Sequence, residues 1–463
     1  MPDVVIIGGG IAGLSAAYEL SRRGVSFVLL EQRPRPGGVI LSEQIDGFTI
    51  DGGPDALIIQ KPEGIALCNE IGLGDRLIAT KPPRLAYVQR GGRLHPLPAA
   101  SVMGIPTKVG PFVATKLFSW PGKIRMGLEL FVPPKRDETD ESIGAFITRR
   151  FGREATDYLA EPLLAGIHAG DVHTLSMRAL FPRLVEAERK HGSLLRAFSN
   201  AQAPPPNPDG VFRSLPGGLS DLVDALVKTL PRESMALGTR VEGLERGQAR
   251  DGFCVRVADG APLGARAVVS AVPAFATSSI VRNLDADLSA LCGSIPYASA
   301  ATVALAFRRD AVRHPLTGSG YVVPRVENPA ILAASWLSSK WPNRAPDDKV
   351  LLRTFVGGAR DPRALECSDG ELVDRSLKAI APLLGISGPP LFSRVYRWDR
   401  ANAQHDVGHL DRVQAIERAL TRHAGLFVTG SGFRGVGIPD CIADGRATGR
   451  AVAEWLAREG RGG

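Results

Sequence analysis

The first residues whose types and spacing predict chemistry are three glycines, Gly8, Gly10 and Gly13, in the arrangement G-x-G-x-x-G. Such a turn directs the backbone N–H groups of a helix N-terminus at the phosphates of a dinucleotide. We expect Gly8 to allow the tight turn, Gly10 to let a pyrophosphate approach the backbone, and Gly13 to let the helix pack closely on its strand. The motif predicts a nucleotide site, and a glycine-rich turn that merely packs is the alternative.

A carboxylate at the expected distance supports the nucleotide. Glu31 follows an apolar run over residues 25–30, about 20 residues beyond the turn, where an acidic side chain accepts hydrogen bonds from ribose hydroxyls. The elements that must position these groups are recognisable. Residues 4–7 read as a strand, an amphipathic helix follows the turn, and Gly24 marks its end. Together these features predict a bound nucleotide.

Two later loops are expected at the phosphate end of this unit. The loop over residues 33–38 ends in Gly37 and Gly38, which permit close approach of the backbone to a ligand. The loop over residues 51–54 reads Asp-Gly-Gly-Pro and follows an alternating run at residues 48–50. Each is an ordinary turn signal by itself, but both come directly after a complete nucleotide unit.

A second G-x-G-x-x-G follows a strand near the end of the chain, within residues 426–439. A second, nicotinamide-binding unit would need a helix, another strand and an acid, whereas a helix over residues 439–455 uses nearly all of the remaining chain. The helix N-terminus would instead return to the first domain and place backbone N–H groups near a flavin ring. One nucleotide site built from both chain ends favours FAD over NAD.

Composition limits the other functions. The 463 residues suggest two or three domains, and 44% hydrophobic and 22% charged residues are ordinary for a soluble globular protein. The net charge of +8 is scattered without a helix-turn-helix, zinc or RNA-binding signature, so we expect no nucleic-acid partner. His168 and His173 lack metal-ligand spacing, so we expect no metal and read both as loop or surface residues. An odd number of dispersed cysteines suits reduced thiols in the cytoplasm: Cys68, Cys254, Cys292, Cys367 and Cys441.

Residues 98–136 interleave apolar and basic side chains, with Glu129 as the one acid. This composition suits peripheral contact with an anionic membrane surface, into which we expect Phe112, Phe118 and Trp120 to insert. The alternative is a helical subdomain with its own core and snorkelling lysines. No apolar run approaches the roughly 20 residues of a spanning helix. The basic residues are Lys108, Lys116, Lys123, Arg125, Lys135 and Arg136.

The remaining chain reads as alternating short elements. A hairpin is predicted around Gly91 and Gly92, and an apolar stretch at residues 161–171 is expected to be kept open by two glycines. Three strands near 237–244, 253–257 and 267–272 suggest a β-meander that returns to the first domain. A second sheet domain is predicted from strands at 301–307, 331–336 and 350–356 and a helix near 370–384.

The chain resembles the oxygen-dependent porphyrinogen oxidases of haem synthesis. The resemblance spans nearly the whole chain, and the block E-P-L-L-x-G-I-x-A-G-D at residues 161–171 is its most specific part. The chain departs from the family pattern at His168, where an aromatic is common, and at Ala403 and His405, where Pro and Tyr are frequent. The other matching segments are the N-terminal turn and residues 51–54, 175–177, 191–194 and 435–442.

The resemblance implies an α/β fold with a Rossmann-like FAD-binding domain of the p-hydroxybenzoate hydroxylase or amine oxidase type. It implies an α+β substrate domain and an inserted helical, membrane-touching domain. The implied boundaries are residues 1–77, 204–280 and 397–463 for the FAD domain, 78–97 and 281–396 for the substrate domain, and 98–203 for the helical domain.

The implied activity is the oxidation of protoporphyrinogen IX to protoporphyrin IX by one non-covalent FAD, with oxygen as acceptor. Coproporphyrinogen III oxidation is the alternative, followed by an amine oxidase or desaturase of the same fold, and by a non-enzymatic binding module. The expected location is the cytoplasm or the cytoplasmic face of a membrane. The oligomeric state stays open, with a homodimer as one alternative.

The resemblance also implies roles for individual residues. Gly166 would lie against the substrate near the flavin, and Arg84 would hold a propionate or, alternatively, be a solvated residue before a strand. No acid or base is assigned, because the cofactor carries the reaction. The predicted cofactor-binding residues are Gly8, Gly10, Ile11, Ala12, Gly13, Glu31, Gln32, Arg33, Gly37, Gly38, Gly53, Pro54, Asp55, Val241, Trp398, Gly430, Val436, Gly437 and Ile438.

Overall fold

A computed structural model describes residues 2–98, 101–102, 105–106, 109–199, 207–247, 252–327 and 330–460. The strands in these ranges are β1 Val4–Ile7, β2 Phe27–Glu31, β3 Ser42–Ile45, β4 Phe48–Asp51, β5 Leu57–Ile58, β6 Ile78–Ala79, β7 Ala86–Arg90, β8 Arg93–Pro96, β9 Ser101–Val102, β10 Ile105–Pro106, β11 Phe212–Ser214, β12 Met235–Leu237, β13 Val241–Arg246, β14 Phe253–Val257, β15 Leu263–Ala265, β16 Ala267–Ser270, β17 Tyr297–Arg308, β18 Gly320–Val322, β19 Ala333–Trp336, β20 Lys349–Gly357, β21 Phe392–Ala403 and β22 Leu426–Val428.

The α-helices in the same ranges are α1 Ile11–Arg22, α2 Glu63–Glu70, α3 Val109–Ala114, α4 Trp120–Gly127, α5 Ile143–Phe151, α6 Arg153–Ala155, α7 Glu161–His168, α8 Met177–Leu180, α9 Pro182–His191, α10 Leu194–Ser199, α11 Ser220–Lys228, α12 Ala274–Val281, α13 Ala286–Gly293, α14 Leu337–Lys340, α15 Asp369–Leu384, α16 His409–Leu420 and α17 Ile438–Glu459. A π-helical turn over Thr156–Ala160 leads into α7. None of the helices in these ranges has the length and apolar character needed to cross a membrane.

A five-stranded parallel sheet carries the glycine-rich turns. Its strand order is β12, β2, β1, β16, β22, so strands from the beginning, middle and end of the chain lie side by side. Every residue of β1 is buried, as expected for a central parallel strand with both faces covered. Because the strands are parallel, the turns that follow β1, β2, β16 and β22 meet at one edge of the sheet.

Helices α1 and α17 pack against each other and so join the two ends of the chain. Two glycines of α17, Gly445 and Gly449, allow this approach, because a Cβ atom would lie 2.2 Å from the carbonyl oxygen of Ala12 at the first and 2.8 Å from that of Ala16 at the second. The predicted return of the C-terminal segment to the first domain is therefore what the fold shows.

A seven-stranded sheet is the second large sheet of the fold. Its strand order is β21, β17, β20, β19, β18, β7, β8, and the hairpin β7–β8 and strands β17, β19 and β20 correspond to predicted elements. Strand β21 was not predicted from the sequence. It crosses the predicted domain boundary at residue 397, and its pairing with β17 places Trp398 in this sheet.

Two predicted elements of the chain differ from the structure. The small antiparallel sheet consists of β13, β14 and β15, whereas β16, expected as the third meander strand, pairs with β1 in the parallel sheet. The apolar stretch at residues 161–171, expected to be kept open by two glycines, is mainly helical, because residues 161–168 form α7 and Ala169 follows in the left-handed conformation.

The helical region, residues 109–199, has its own apolar core. This core overturns the prediction that Phe112 and Phe118 insert into a membrane. Phe112 and Phe118 are buried in that core, so they are not available for insertion. Lys123 is also buried and donates to the carbonyl oxygen of Val113, while the guanidinium of Arg125 donates to the carbonyl oxygens of residues 148–150. The predicted basic residue Lys108 lies outside the described residues.

Candidate functional site

The turn between β1 and α1 has the three features predicted from its glycines. Gly8 has a φ of +106°, and a Cβ on Gly13 would lie 2.0 Å from the carbonyl oxygen of Gly8. A Cβ on Gly10, by contrast, would have no described atom within 4 Å. Protein packing therefore explains the first and third glycines, and the second borders open space through which a ligand can approach. Ile11 and Ala12 form the first turn of α1.

The Glu31 carboxylate lies directly under this turn. One oxygen accepts a hydrogen bond from the Gly9 N–H at 2.7 Å and the other accepts from the Arg33 N–H at 2.8 Å. Each carboxylate oxygen has a further lone pair, which leaves capacity for a ribose hydroxyl. Gln32 is exposed at the end of the same strand, so residues 31–33 form one rim of the turn.

The loop at Gly37 and Gly38 closes on the same turn. The N–H of Gly37 donates to the carbonyl oxygen of Gly9 at 2.7 Å, and a Cβ on Gly38 would lie 3.2 Å from the Cα of Gly10. Arg35 fixes the loop by donating to the carbonyl oxygens of Pro36, Gly38 and Ile40. The structure thus places this loop beside the turn between β1 and α1, where the sequence predicted it.

The loop over residues 51–55 is tied to the seven-stranded sheet by a buried charge network. Asp55 accepts hydrogen bonds from Lys340 at 2.7 Å, Trp341 at 2.8 Å and Arg353 at 2.9 Å. Burial alone would raise the pKa of Asp55, but the two cations lower it well below its usual range. The Asp55 side chain is therefore occupied within the protein, and only its backbone is free for the predicted cofactor contact.

Trp398 lies against Gly53 of this loop. Arg353 also donates to the Gly53 carbonyl oxygen at 2.7 Å, and the Trp398 indole donates to that of Gly52 at 2.9 Å. Pro54 follows and is partly buried. A Cβ on Gly53 would lie 1.9 Å from the Val39 carbonyl oxygen, so this glycine is required by the contact between the two loops.

The C-terminal turn lies against the N-terminal one. A Cβ on Gly430 would lie 3.9 Å from the Cβ of Ala12, and the Gly430 N–H donates to Asp444 of α17 at 3.1 Å. Gly437 caps α17, with Val436 before it and Ile438 as the first helical residue. These residues lie at the sheet edge predicted for the cofactor. Val241 is the first residue of β13. The segment before it is near Glu31, because the Thr239 N–H donates to the Glu31 carbonyl oxygen at 2.8 Å.

An ion pair that the sequence did not indicate joins this turn to the N-terminal domain. Lys61 Nζ lies 2.6 Å from the Asp440 carboxylate, which also accepts from the Gly437 N–H at 3.1 Å. An acid in the first turn of a helix is a common capping group, but its lysine partner is 379 positions away in the sequence. Only the fold brings the two together.

Helix α7 carries Gly166, the glycine predicted to lie against the substrate. A Cβ on Gly166 would lie 3.4 Å from Val322 and 3.7 Å from Ala333, so Gly166 faces the seven-stranded sheet. At about 100° per residue, Ile167 then lies to the side of Gly166, and His168, at about 200°, points away from that sheet. Ile167 is 69% exposed.

His168 is not the loop or surface residue expected from the sequence. It is the last residue of α7 and is partly buried. Burial, followed by the neighbouring His405, lowers the pKa of His168 to about 4. The imidazole is therefore neutral at pH 7. His173, by contrast, is exposed, as predicted.

Arg84 is an exposed residue two positions before β7, which lies between β18 and the edge strand β8 of the seven-stranded sheet. Its Nε donates to the Thr80 hydroxyl at 3.0 Å, and its chain covers Gly210. Strand β7 pairs in parallel with β18, where Val88 is opposite Val322, the neighbour of Gly166. Four residues of strand separate Arg84 from Val88, or about 13 Å. Arg84 and Gly166 thus both lie near the β7–β18 strand pair.

The sequence of the chain is similar to those of known proteins over nearly its whole length. The sequence pattern of the family described as flavin containing amine oxidoreductase matches residues 11–453. The chain belongs to this family. It is 36% identical to the coproporphyrinogen III oxidase of Bacillus subtilis, with 98% of this chain and 97% of that protein covered. It is 29% identical to the chloroplast protoporphyrinogen oxidase 1 of Spinacia oleracea, with 98% and 85% covered.

Solved structures agree with this assignment. A protein from Exiguobacterium, provisionally assigned as a protoporphyrinogen oxidase, superposes with a TM-score of 0.87 at 30% identity, covering 97% of this chain and 98% of its own. The cyclohexylamine oxidase of Brevibacterium oxydans superposes with a TM-score of 0.70 at 17% identity, covering 98% of this chain and 99% of its own, and so shares the fold. The predicted amine-oxidase-type fold and the flavin cofactor are confirmed at the level of the family.

Proposed function

We propose that this chain holds one non-covalent FAD and oxidises a porphyrinogen to the porphyrin with oxygen as acceptor. The observation that carries the proposal is the meeting of both glycine-rich turns at one sheet edge, in a chain whose helix α7 carries the block by which the sequence resembles porphyrinogen oxidases. The open space at Gly10 and the free lone pairs of Glu31 fit a dinucleotide.

The substrate with the better support is coproporphyrinogen III. The relatives with that name are 32–36% identical to this chain, whereas the plant relatives named protoporphyrinogen oxidase are 28–29% identical. Protoporphyrinogen IX is the second candidate, because it was the substrate first implied by the sequence and because the plant relatives match over 98% of this chain.

Different residues of the chain would bind the cofactor and the substrate. When bound, FAD would supply a two-electron acceptor for hydride from the macrocycle in each of the successive oxidation steps, with oxygen as the final acceptor that leaves as hydrogen peroxide. The backbone at Gly8–Gly13 binds the pyrophosphate, and Glu31 orients the ribose. Helix α7 and the seven-stranded sheet enclose the reacting region, and Arg84 binds a substrate carboxylate at its outer edge.

Peripheral membrane contact is a second part of the proposal, which keeps Trp120 from the predicted set and replaces the buried Phe112 and Phe118 by other exposed residues. Trp120, Ile124, Leu128 and Phe131 are spaced by three or four positions along α4 and the turn after it, and are 64%, 62%, 49% and 77% exposed. Their spacing puts them on one face, and an exposed apolar stripe of this kind suits the boundary of a bilayer.

The experiment is a direct comparison of substrates. The purified protein is expected to be yellow, to release FAD on denaturation, and to form coproporphyrin III faster than protoporphyrin IX under air. Polyamines and a carotenoid precursor serve as controls for the amine oxidase and desaturase alternatives. A yellow protein that oxidises one of those controls and neither porphyrinogen would contradict the substrate assignment, and a protein that does not bind FAD would contradict the whole proposal.

A further inference from the structure

Two buried histidines stack beside the C-terminal glycine-rich turn. The ring centroids of His405 and His409 are 3.8 Å apart and the ring planes are inclined by 10°. Both side chains are buried. His405 lies two residues beyond the end of β21, and His409 is the first residue of α16. One member of the pair, His405, stands at a position where the chain departs from the family pattern.

Each imidazole makes one hydrogen bond to the turn. His405 Nε2 lies 2.9 Å from the Ser431 carbonyl oxygen, and His409 Nε2 lies 3.0 Å from that of Phe433. A carbonyl oxygen only accepts hydrogen bonds, so both Nε2 atoms must carry a proton and donate. The His409 Nδ1 atom has no partner among the described residues, so a second proton there would be buried without an acceptor.

The two rings are therefore neutral donors at physiological pH. Burial lowers the pKa of His405, and burial followed by the neighbouring His405 lowers the pKa of His409 to about 4. The charged groups that act on the pair are Asp406 and Asp440 at His405, and Arg412 at His409.

Fixing these carbonyl groups also fixes the N–H groups of the same peptide planes. In a trans peptide the C=O and N–H bonds point in opposite directions, so the N–H groups of Gly432 and Arg434 are directed away from the histidines. Neither N–H has an acceptor in the part of the chain that the structure describes. A buried donor such as Gly432 N–H needs a partner, and a ligand at this turn would supply one.

The segment that carries the histidines is itself held by the helical region. The Ser176 N–H donates to the His405 carbonyl oxygen at 2.8 Å, and the Val407 N–H donates to that of Thr174 at 2.9 Å. The pair therefore stands between the turn on one side and the helical region on the other, and a shift of either would be passed to the imidazoles.

We propose that His405 and His409 are positioning residues for the flavin, which act by holding the Ser431 and Phe433 carbonyl groups so that the turn keeps its N–H groups toward the cofactor. The inference rests on the proposed function only in requiring a bound flavin. It does not depend on which substrate the flavin oxidises.

The test uses the holoenzyme and matched substitutions. His405→Gln keeps a donor near the Nε2 position, whereas His405→Met has similar size and no donor. The rate of flavin release, followed by the rise in flavin fluorescence after dilution, is expected to increase about tenfold in His405→Met, as for the loss of one hydrogen bond, and to stay within about threefold of wild type in His405→Gln. The visible absorption bands of the bound flavin should shift in His405→Met only.

A remote histidine controls for general effects. His423 pairs with Asp285 away from the turn, so His423→Gln should change neither release nor spectrum. If His405→Met does not fold, the comparison is made with His409→Gln and His409→Met. Equal release rates and spectra for the Gln and Met variants would overturn the inference. A wild-type protein that binds flavin but oxidises no porphyrinogen would overturn the proposed function and leave this inference standing.

Discussion

The hydrogen bonds of Glu31 allow a sharp prediction for one substitution. Its two carboxylate oxygens accept from the N–H groups of Gly9 and Arg33, at 2.7 and 2.8 Å, in a buried position. Glu31→Gln replaces one acceptor with an NH₂ group, which must then face one of the two N–H donors. One charge-assisted hydrogen bond is lost, at a cost of about 1.5–3 kcal/mol, and a backbone N–H at the phosphate-binding turn loses its partner.

The expected result is a folded protein that binds FAD about tenfold to hundredfold more weakly than wild type, measured by equilibrium titration of flavin fluorescence. Glu31→Lys should leave a folded but largely colourless protein, because the ammonium lies against the sugar site. Glu186→Gln, at an exposed position of α9, is the matched control and should bind normally. Wild-type affinity in Glu31→Gln would refute the assigned role of the carboxylate.

Three further predictions concern other parts of the molecule. Arg84→Ala should lower kcat/KM about tenfold to hundredfold with unchanged flavin content, because one charge-assisted hydrogen bond to a propionate is lost. Arg93→Ala, at another exposed position, should leave kcat/KM unchanged. Unaltered kinetics of Arg84→Ala on both porphyrinogens would show that Arg84 does not bind the substrate. Replacing Trp120 and Phe131 by Ser should lower the partition coefficient onto anionic vesicles, measured by flotation, at least about a hundredfold relative to Leu391→Ser. Wild-type protein that does not float with these vesicles would contradict membrane contact. The pKa of His168 is lowered to about 4 in the folded protein, so the free energy of unfolding should fall by up to about 3 kcal/mol as pH decreases from 6.5 to 4. His168→Phe should make the free energy of unfolding depend less on pH over this range. The same pH dependence in the variant and the wild type would refute the lowered pKa of His168.

Local sequence rules predicted the geometry of the turn between β1 and α1 well, because that geometry is set by the turn's own residues. The φ of Gly8 and the contact of Gly13 with the Gly8 carbonyl are consequences of a strand, a tight turn and a helix that are adjacent in the chain. Glu31 is also close in sequence, and its neighbourhood with the turn follows from the pairing of β1 with β2. The start of the C-terminal helix is also set locally, because Gly437 at the end of the second glycine-rich turn is its N-cap and Pro439 lies in its first turn.

The parts that the sequence did not predict depend on distant contacts. Phe112 and Phe118 have the same composition signal as Trp120, and only the packing of helices α4, α5 and α9 decides which of them is buried. Asp55 lies in a loop that resembles a ligand-binding turn, but its partners Lys340 and Arg353 are 285 and 298 positions away. Likewise, no local pattern indicates that His405 and His409 stack.

Anaerobic mixing with a porphyrinogen tests the central claim most directly, because it separates the reaction of the flavin from that of oxygen. The account predicts that the yellow colour of the bound flavin bleaches on mixing with coproporphyrinogen III without oxygen, and returns, with formation of porphyrin, when air is admitted. A flavin that stays oxidised in the presence of both coproporphyrinogen III and protoporphyrinogen IX would contradict it.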